Sequence, residues 1–286
     1  MDYARPASVE EAVALLAGGG WRPLAGGTDV YPALGEAPLP ALLDLTGIPA
    51  LAGVRTEGDG IRIGALTTWS ALVATPLPAA FDALKAAARE VGGVQVQNTG
   101  TVAGNICNAS PAADGMPPLL ALDAVVELTG PDGARRVPLG EFVVGPRQTL
   151  KRPEEIVTAL FVPQPGAIAR SAFLKLGART HLVISIAMTA AVVTLDEAGR
   201  VARAALSVGA CGPVARRLAD AEAAVVGLAP GEATDAALAV ADLPELSPID
   251  DVRATAAYRQ AAARRLLART VRLAVGAGED GQGAVA

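Results

Sequence analysis

The hydrophobic positions of the first fifty residues predict a short helix followed by two short strands. Ser8 and Glu11 form a capping box, and the three glycines at 18–20 are expected to end the helix, because glycine readily takes the left-handed conformation. Apolar strands are predicted at 22–25 and 41–45, with a glycine loop and a helix or turn between them. The start of the chain is therefore predicted to be a small α/β unit.

The rest of the chain alternates between extended and helical spacing. Strands are predicted at 60–65, 124–129, 136–139, 155–162, 172–176, 184–195 and 201–209. Helices are predicted at 69–72, 81–91, 218–225, 233–240 and 258–275. The segment 98–114 is rich in glycine, asparagine, threonine and serine, and it is predicted to be a long loop.

The proline-containing run at 163–166 is the best candidate for a linker between domains. We expect a first domain at 1–165, with subparts of about 1–54 and 55–165, and a second domain at 168–276. A length of 286 residues with 51% hydrophobic residues suits two domains. Residues 277–286 are expected to form a disordered tail.

Charge and hydropathy disfavour several classes of partner. The formal net charge is -5 and no long basic run occurs, so neither nucleic acid nor an anionic membrane is favoured. The apolar stretches are shorter than the roughly 20 residues that span a bilayer, and the first residues lack the features of a signal peptide. We therefore expect a cytoplasmic protein without membrane insertion.

The counts of cysteine and histidine limit the redox chemistry of the chain. Cys107 and Cys211 cannot supply the four thiolates of an iron–sulfur cluster, and His181 is the single histidine. A histidine-based metal site and a serine-hydrolase triad both need imidazole in a fixed place. A redox group in this chain would therefore be an organic cofactor.

Two glycine-rich segments could bind such a cofactor. Residues 24–29 join a short apolar strand to paired glycines and a hydroxyl, so their amides form a candidate anion pocket. Residues 98–114 offer many amides and hydroxyls, with apolar residues recurring among them. Together the segments fit a dinucleotide pyrophosphate held from both sides, and their spacing leaves nicotinamide and flavin equally open.

The same segments, 24–29 and 100–114, resemble the two FAD signatures of the xanthine dehydrogenase / carbon monoxide dehydrogenase medium-subunit family. Further matching pieces follow in order along the chain. They lie at 118–124, 152–157, 172–179 and 258–259. The resemblance covers nearly the whole chain, and its strength comes from this collinear order.

The resemblance implies an α+β protein with a two-part, vanillyl-alcohol-oxidase (PCMH)-type FAD-binding domain and FAD between the two parts. A carbon monoxide dehydrogenase flavoprotein-like C-terminal domain would follow, with a three-stranded sheet and helices. The pyrophosphate would meet 25–29 and 101–105, and Ile184 would lie against the isoalloxazine ring. The cofactor-binding residues implied are Leu24, Ala25, Gly26, Gly27, Thr28, Asp29, Thr101, Val102, Ala103, Gly104, Asn105, Ser110, Asp114, Val157, Lys175 and Ile184. No catalytic side chain and no metal ligand are implied for this chain.

The resemblance further implies an electron-transfer subunit of a heterotrimeric molybdenum hydroxylase. A large molybdopterin subunit would oxidise the substrate, a small 2Fe-2S subunit would relay electrons, and FAD would pass them to NAD or another acceptor. Thr28-Asp29 stands where carbon monoxide dehydrogenases tend to have His-Ser, which favours the xanthine, aldehyde or N-heterocycle branch. Two positions depart from the family pattern, since Ala103 replaces a glycine and Gln97 replaces an arginine.

Two alternatives stay open at this point. One is a stand-alone FAD-dependent oxidoreductase of the same fold, and the other is a scaffold that has lost FAD. The cofactor hypothesis predicts that Gly26→Val or Gly104→Val abolishes FAD retention while leaving the fold largely intact, because a side chain would block the approach of the ligand to the backbone.

Overall fold

The computed structural model describes residues 2–34, 41–164, 166 and 168–276, so the predicted tail at 277–286 and part of the predicted linker lie outside the described residues. The strands are β1 Tyr3–Ala4, β2 Trp21–Leu24, β3 Ala41–Asp44, β4 Val54–Glu57, β5 Gly60–Gly64, β6 Val125–Gly130, β7 Gly133–Pro138, β8 Val143–Gly145, β9 Gln148–Thr149, β10 Ile156–Pro163, β11 Arg170–Leu176, β12 Ala187–Leu195, β13 Val201–Gly209 and β14 Arg216–Arg217. The α-helices are α1 Val9–Ala17, α2 Trp69–Ala74, α3 Asp82–Glu90, α4 Val94–Thr99, α5 Val102–Asn108, α6 Met116–Ala121, α7 Leu139–Phe142, α8 Ala219–Val225, α9 Glu232–Val240 and α10 Ala256–Ala274.

The chain forms two compact units whose segments interleave along the sequence. Unit 1 consists of Met1–Thr75, Gly93–Ala109 and Asp123–Gln164. Unit 2 consists of Pro76–Gly92, Ser110–Leu122 and Pro165–Ala286. The domain limits expected from the sequence, 1–165 and 168–276, stay a prediction.

Unit 1 contains a small parallel sheet covered by α1. Its strands lie in the order β1-β3-β2, and both pairs are parallel. The Ser8 hydroxyl accepts from the Glu11 amide at 3.2 Å, which is the capping contact that the sequence predicts. Helix α1 packs Ala12, Val13 and Leu16 into a core that includes Leu43.

The larger sheet of unit 1 has the order β4-β5-β10-β6-β7, and all its pairs are antiparallel. Residues 156–162 of β10 are all buried and all but Thr158 are apolar, so both faces of the central strand are covered. A bulge interrupts its pairing with β6 between Val157 and Ala159. Charged side chains of the sheet pair with each other, such as the largely buried Arg62 and Glu127 at 2.6 Å.

Unit 2 contains an antiparallel sheet in the order β11-β12-β13-β14. Three long strands match the three-stranded sheet that the resemblance implies, and the two-residue β14 extends it. Helix α10 packs against β12, where the hydroxyls of Thr189 and Thr270 lie 2.6 Å apart in a buried contact. Helices α3 and α6 pack against the same sheet.

Two predicted boundaries were wrong, and each error has a local cause. The segment 98–114 is not one long loop, because α5 occupies Val102–Asn108. Glycine and asparagine favour a loop there, but Val102 and Ile106 stand four residues apart and are both buried, which stabilises a helix. The strand predicted from residue 184 begins at Ala187 instead, and 184–186 are irregular. Within the described residues, no helix combines the length and the apolar character that crossing a membrane requires.

Candidate cofactor site

The first glycine segment leaves the end of β2 in unit 1. Leu24 is buried, and the chain then bends through Gly26 and Gly27 into a turn. Gly27 has a φ of +70°, and a Cβ there would lie 2.5 Å from the ring of Tyr31. The Tyr31 amide donates to the Gly27 carbonyl at 3.1 Å, which fixes the turn. Glycine is therefore required at this position by the backbone and by its neighbour.

The two predicted segments touch each other within unit 1. A Cβ on Gly26 would lie 2.0 Å from the Thr99 carbonyl oxygen and 3.0 Å from the Gly100 Cα. A Cβ on Gly100 would in turn lie 3.2 Å from the Thr28 hydroxyl oxygen. The structure thus brings together segments about 70 residues apart in the sequence, as the cofactor hypothesis requires.

This contact corrects the expected effect of the glycine substitutions. A side chain on Gly26 would collide with the backbone of 99–100 before it met any ligand, so Gly26→Val would disturb the fold itself. At Gly104 the Cβ would lie 2.8 Å from the Thr101 hydroxyl oxygen. The prediction that the fold stays largely intact is therefore contradicted at Gly26, where backbone stands in the way, and stays a prediction at Gly104, where the close atom belongs to a side chain.

The second segment is the start of α5. The Thr101 hydroxyl accepts from the Gly104 amide at 3.0 Å, and the Val102 amide donates to the Thr67 carbonyl at 3.0 Å. In the part of the chain that the structure describes, the Ala103 amide has no acceptor. Helix starts carry such unpaired amides and a partial positive charge.

The amides of the first segment are also available to a ligand. Among the described residues, those of Gly26, Gly27, Thr28 and Asp29 have no acceptor. Paired glycines allow close approach of a phosphate to such amides. The two segments together therefore present a set of donors suited to an anionic group.

Asn105 supplies an independent sign that a ligand belongs here. Its side-chain Oδ1 is buried and lacks a hydrogen-bond partner within the described residues. An unsatisfied buried acceptor costs about 1–3 kcal/mol. A donor on a bound molecule would satisfy it, so the residues present fit a polar cofactor.

The predicted site residues of unit 2 form a buried ion pair. Lys175 Nζ donates to Asp114 Oδ2 at 2.7 Å and to the Glu90 carbonyl at 3.4 Å. The Ser185 hydroxyl donates to Asp114 Oδ1 at 2.7 Å. Burial raises the pKa of the Asp114 carboxyl above its ordinary value, although Lys175 and Ser185 act in the opposite direction. Asp114 therefore has both oxygens engaged by its own chain.

Three further predicted site residues, Val157, Ser110 and Ile184, each have different surroundings. Val157 is buried beside the bulge of β10, so its side chain belongs to the core of unit 1. The Ser110 hydroxyl accepts from the Ala112 amide at 3.3 Å, which fits a turn. Ile184 is 53% exposed and stands outside any strand.

Reasoning from the sequence missed Ser185. It lies 71 residues from Asp114, and a single serine ahead of an apolar strand carries no signal of its own. Burial also raises the pKa of the Cys107 thiol in α5 to about 11, which keeps this thiol protonated at neutral pH. No group of three or more potential metal-ligating side chains comes together in the described ranges.

Comparison with known proteins supplies the family. Residues 1–165 match the family described as "FAD binding domain in molybdopterin dehydrogenase", and residues 172–274 match "CO dehydrogenase flavoprotein C-terminal domain". The alpha subunit of the 6-hydroxypseudooxynicotine dehydrogenase complex of Paenarthrobacter nicotinovorans is 34% identical, over 94% of this chain and 93% of its own length. The carbon monoxide dehydrogenase medium chain of Afipia carboxidovorans is 35% identical, over 94% of this chain and 95% of its own length.

The structural comparison agrees with the sequence comparison. A solved carbon monoxide dehydrogenase from Hydrogenophaga pseudoflava contains a chain that is 32% identical, with a TM-score of 0.87, over 96% of this chain and 97% of the other. The predicted fold class and the predicted FAD cofactor are confirmed. This chain belongs to the FAD-binding subunits of the molybdenum hydroxylase family, the family of the xanthine and carbon monoxide dehydrogenases.

Proposed function

We propose that this chain is the electron-transfer subunit of a molybdenum-containing hydroxylase. It receives electrons from a small iron–sulfur subunit and passes them to NAD or another acceptor, while a large molybdopterin subunit oxidises the substrate in the cytoplasm. The names of the relatives support this role, because they describe medium chains and a subunit of a dehydrogenase complex. Thr28-Asp29 favours the xanthine, aldehyde or N-heterocycle branch.

The residues of unit 1 are proposed to bind the pyrophosphate of FAD. The contact between Gly26 and Thr99 carries this proposal, because it supports a site to which both glycine segments contribute. The amides of 26–29 and of Ala103 donate to phosphate oxygens, and Asn105 accepts from a donor on the cofactor. Leu24, Ala25, Thr101, Val102 and Gly104 fix the backbone that carries these groups.

The residues of unit 2 are proposed to bind the flavin end of the cofactor. Lys175 and Asp114 form a fixed, buried pair of charges there, and Ile184 offers an exposed apolar side chain to a ring. FAD supplies the chemistry that accepts electrons singly and delivers two together, whereas the protein supplies position and burial. Ser110 and Val157 complete the predicted set.

The cofactor is tested on the purified full chain. The protein should be yellow, and denaturation should release FAD rather than FMN, with about one FAD per chain. A colourless chain that takes up no FAD on reconstitution would contradict the proposal. Turnover of an organic substrate by the isolated chain would instead support a stand-alone oxidoreductase.

Substitution of Asn105 gives a sharper test, because the stability of the FAD-free chain and the affinity for FAD are expected to respond differently. Asn105→Leu removes an unsatisfied acceptor, so the FAD-free chain should be as stable as the wild type or more stable. The lost hydrogen bond should weaken FAD binding about fivefold, which corresponds to about 1 kcal/mol. FAD titration and urea unfolding measure the two quantities.

Asn108 in the same helix is the matched control. Its side-chain oxygen already accepts from Arg147, so Asn108→Leu should destabilise the FAD-free chain. If Asn105→Leu also destabilised the free chain and left FAD affinity unchanged, Asn105 would have no role in binding the cofactor.

The subunit role needs the assembled complex. Co-expression with neighbouring genes for an iron–sulfur protein and a molybdopterin protein should yield a complex that reduces NAD or an artificial acceptor. Loss of acceptor reduction, with retained substrate oxidation at the molybdenum subunit, is expected when this chain is supplied without FAD.

A further inference from the structure

The connection between β11 and β12 in unit 2, residues 177–186, contains a closed loop at 177–184. The Ile186 amide donates to the Leu176 carbonyl across the base of the loop at 2.7 Å. Gly177 forms the narrow neck, because a Cβ there would lie 2.3 Å from Val183 Cγ1. The two ends of the loop are therefore packed directly against each other.

The base of the loop is fastened by Asp114. Its carboxylate binds Lys175 on the strand before the loop and Ser185 just after it, both at 2.7 Å. Ser185 is 2% exposed, so water does not compete for its hydrogen bond. One buried carboxylate thus holds the residues on both sides of the loop.

The tip of the loop is held by Arg179. Leu182 has a φ of +53°, a left-handed conformation that is unfavourable for leucine because its Cβ crowds the following carbonyl. The Arg179 guanidinium donates to the carbonyls of His181, at 3.0 Å, and of Leu182, at 2.5 Å. These two bonds stabilise the left-handed residue from within the loop.

The fixed loop presents apolar side chains outward. Leu182 is 59% exposed and Ile184 is 53% exposed. Unfavourable backbone conformations persist where surrounding contacts impose them, and they concentrate at functional sites. A surface loop that is tied at its base and its tip, yet exposes two apolar residues, is suited to contact a flat apolar group.

We propose that Arg179 and Ser185 are positioning residues that hold this loop in the conformation in which Ile184 lies against the flavin ring. The proposal rests on the proposed function, since it requires FAD to bind this chain. Because the loop is already ordered, little conformational freedom is lost when the ring binds. Neither residue touches the cofactor in this scheme, and each acts through the backbone of the loop.

The test uses the full chain, freed of FAD and titrated with it. Arg179→Ala and Ser185→Ala should each weaken FAD binding about 2- to 12-fold, the effect expected when one ordered group must be immobilised on binding. The visible circular dichroism of the bound flavin should also change, because the ring meets a mobile loop. An effect on stability alone would not alter this spectrum.

Two variants in the same unit serve as matched controls. Arg200 also donates from an exposed guanidinium to a turn carbonyl, that of Gly227 at 3.0 Å, but at the opposite end of β12. Ser207 is also a buried serine, and it donates to the Pro117 carbonyl at 2.7 Å. Arg200→Ala and Ser207→Ala should leave FAD affinity and the flavin spectrum unchanged.

A second background tests the route through Leu182. Asparagine tolerates the left-handed conformation, so Arg179→Ala should lose at least half of its effect on FAD affinity when Leu182→Asn is present. Wild-type affinity and spectrum in both loop variants, or equal changes in the controls, would overturn the proposal. Failure of the wild type to bind FAD would instead show that the proposed function is wrong. If Ser185→Ala fails to fold, the FAD affinity and flavin spectrum of Arg179→Ala, a change at an exposed residue, decide the test alone.

Discussion

The ion pair of Asp114 and Lys175 allows a quantitative prediction about stability. Both side chains are at most 10% exposed, and their charged atoms lie 2.7 Å apart. Asp114→Asn keeps the shape of the side chain but removes the charge that Lys175 faces. Breaking a buried pair from one side costs about 3–5 kcal/mol, because it leaves a buried charge uncompensated. The Glu90 carbonyl and the remaining amide oxygen still accept from Lys175, so we expect about 3 kcal/mol, the lower end of that range.

The assay is urea unfolding of the FAD-free chain, followed by circular dichroism. A double variant with Lys175→Met removes the stranded charge and should recover at least half of the lost free energy of unfolding. Asp132→Asn is the control, since Asp132 is 88% exposed and its contact with Arg152 spans 3.4 Å. That change should cost less than about 1 kcal/mol.

Two results of these measurements would count against a stabilising ion pair. A difference below about 1 kcal/mol at neutral pH, or a double variant no more stable than Asp114→Asn, would refute this account of the pair.

Three further predictions concern unit 1. Thr101→Ala removes the cap of α5 and should lower the free energy of unfolding by about 1 kcal/mol, whereas Thr101→Ser should restore most of it, as thermal unfolding would show. Gly27→Ala should destabilise the chain by more than the roughly 1–2 kcal/mol of a left-handed alanine, because its Cβ also meets Tyr31. Gly19→Ala is the control for the backbone cost alone, because Gly19 has a φ of +79° and open space around its Cβ position. The hydrogen bond from Arg135 holds the pKa of Glu155 below its ordinary value of 4.5, so the contribution of Glu155 to stability is full above that pH and is lost as the pH falls through the lowered pKa. Glu155→Gln should therefore flatten the acid limb of a stability-against-pH curve, and an unchanged limb would contradict the assignment.

Local sequence patterns predicted the elements whose stability is local. The capping box of α1 and the apolar runs of β10 and β12 identify those elements without knowledge of their partners. The two glycine-rich segments were also recognised from the sequence, because close contact between backbones requires glycine, and glycine is visible in the composition. Helix α5 was missed since its residues favour a loop when read singly, and only the burial of Val102 and Ile106 stabilises the helix.

Contacts between distant residues could not be predicted in this way. Nothing in the sequence around Ser185 points to Asp114, and Arg179 is one arginine among many until the backbone of Leu182 is known. The same holds for Gly26, whose role in packing against Thr99 depends on a segment about 70 residues away. Sequence reasoning therefore proposed the region of the cofactor site, and the structure was needed to show which of its residues contact one another.

The interleaving of the two units has a consequence for any attempt to produce half of the protein. A fragment cut after residue 165 would keep α3 and α6 but lose the sheet against which both helices pack. The Ala83 amide would lose the Ser171 hydroxyl at 2.8 Å, and the Pro117 carbonyl would lose Ser207. Phe81 and Leu119, both fully buried in the whole chain, would face water. We expect such a fragment to aggregate, so the FAD-binding protein should be obtained only when both units are produced as one uninterrupted chain.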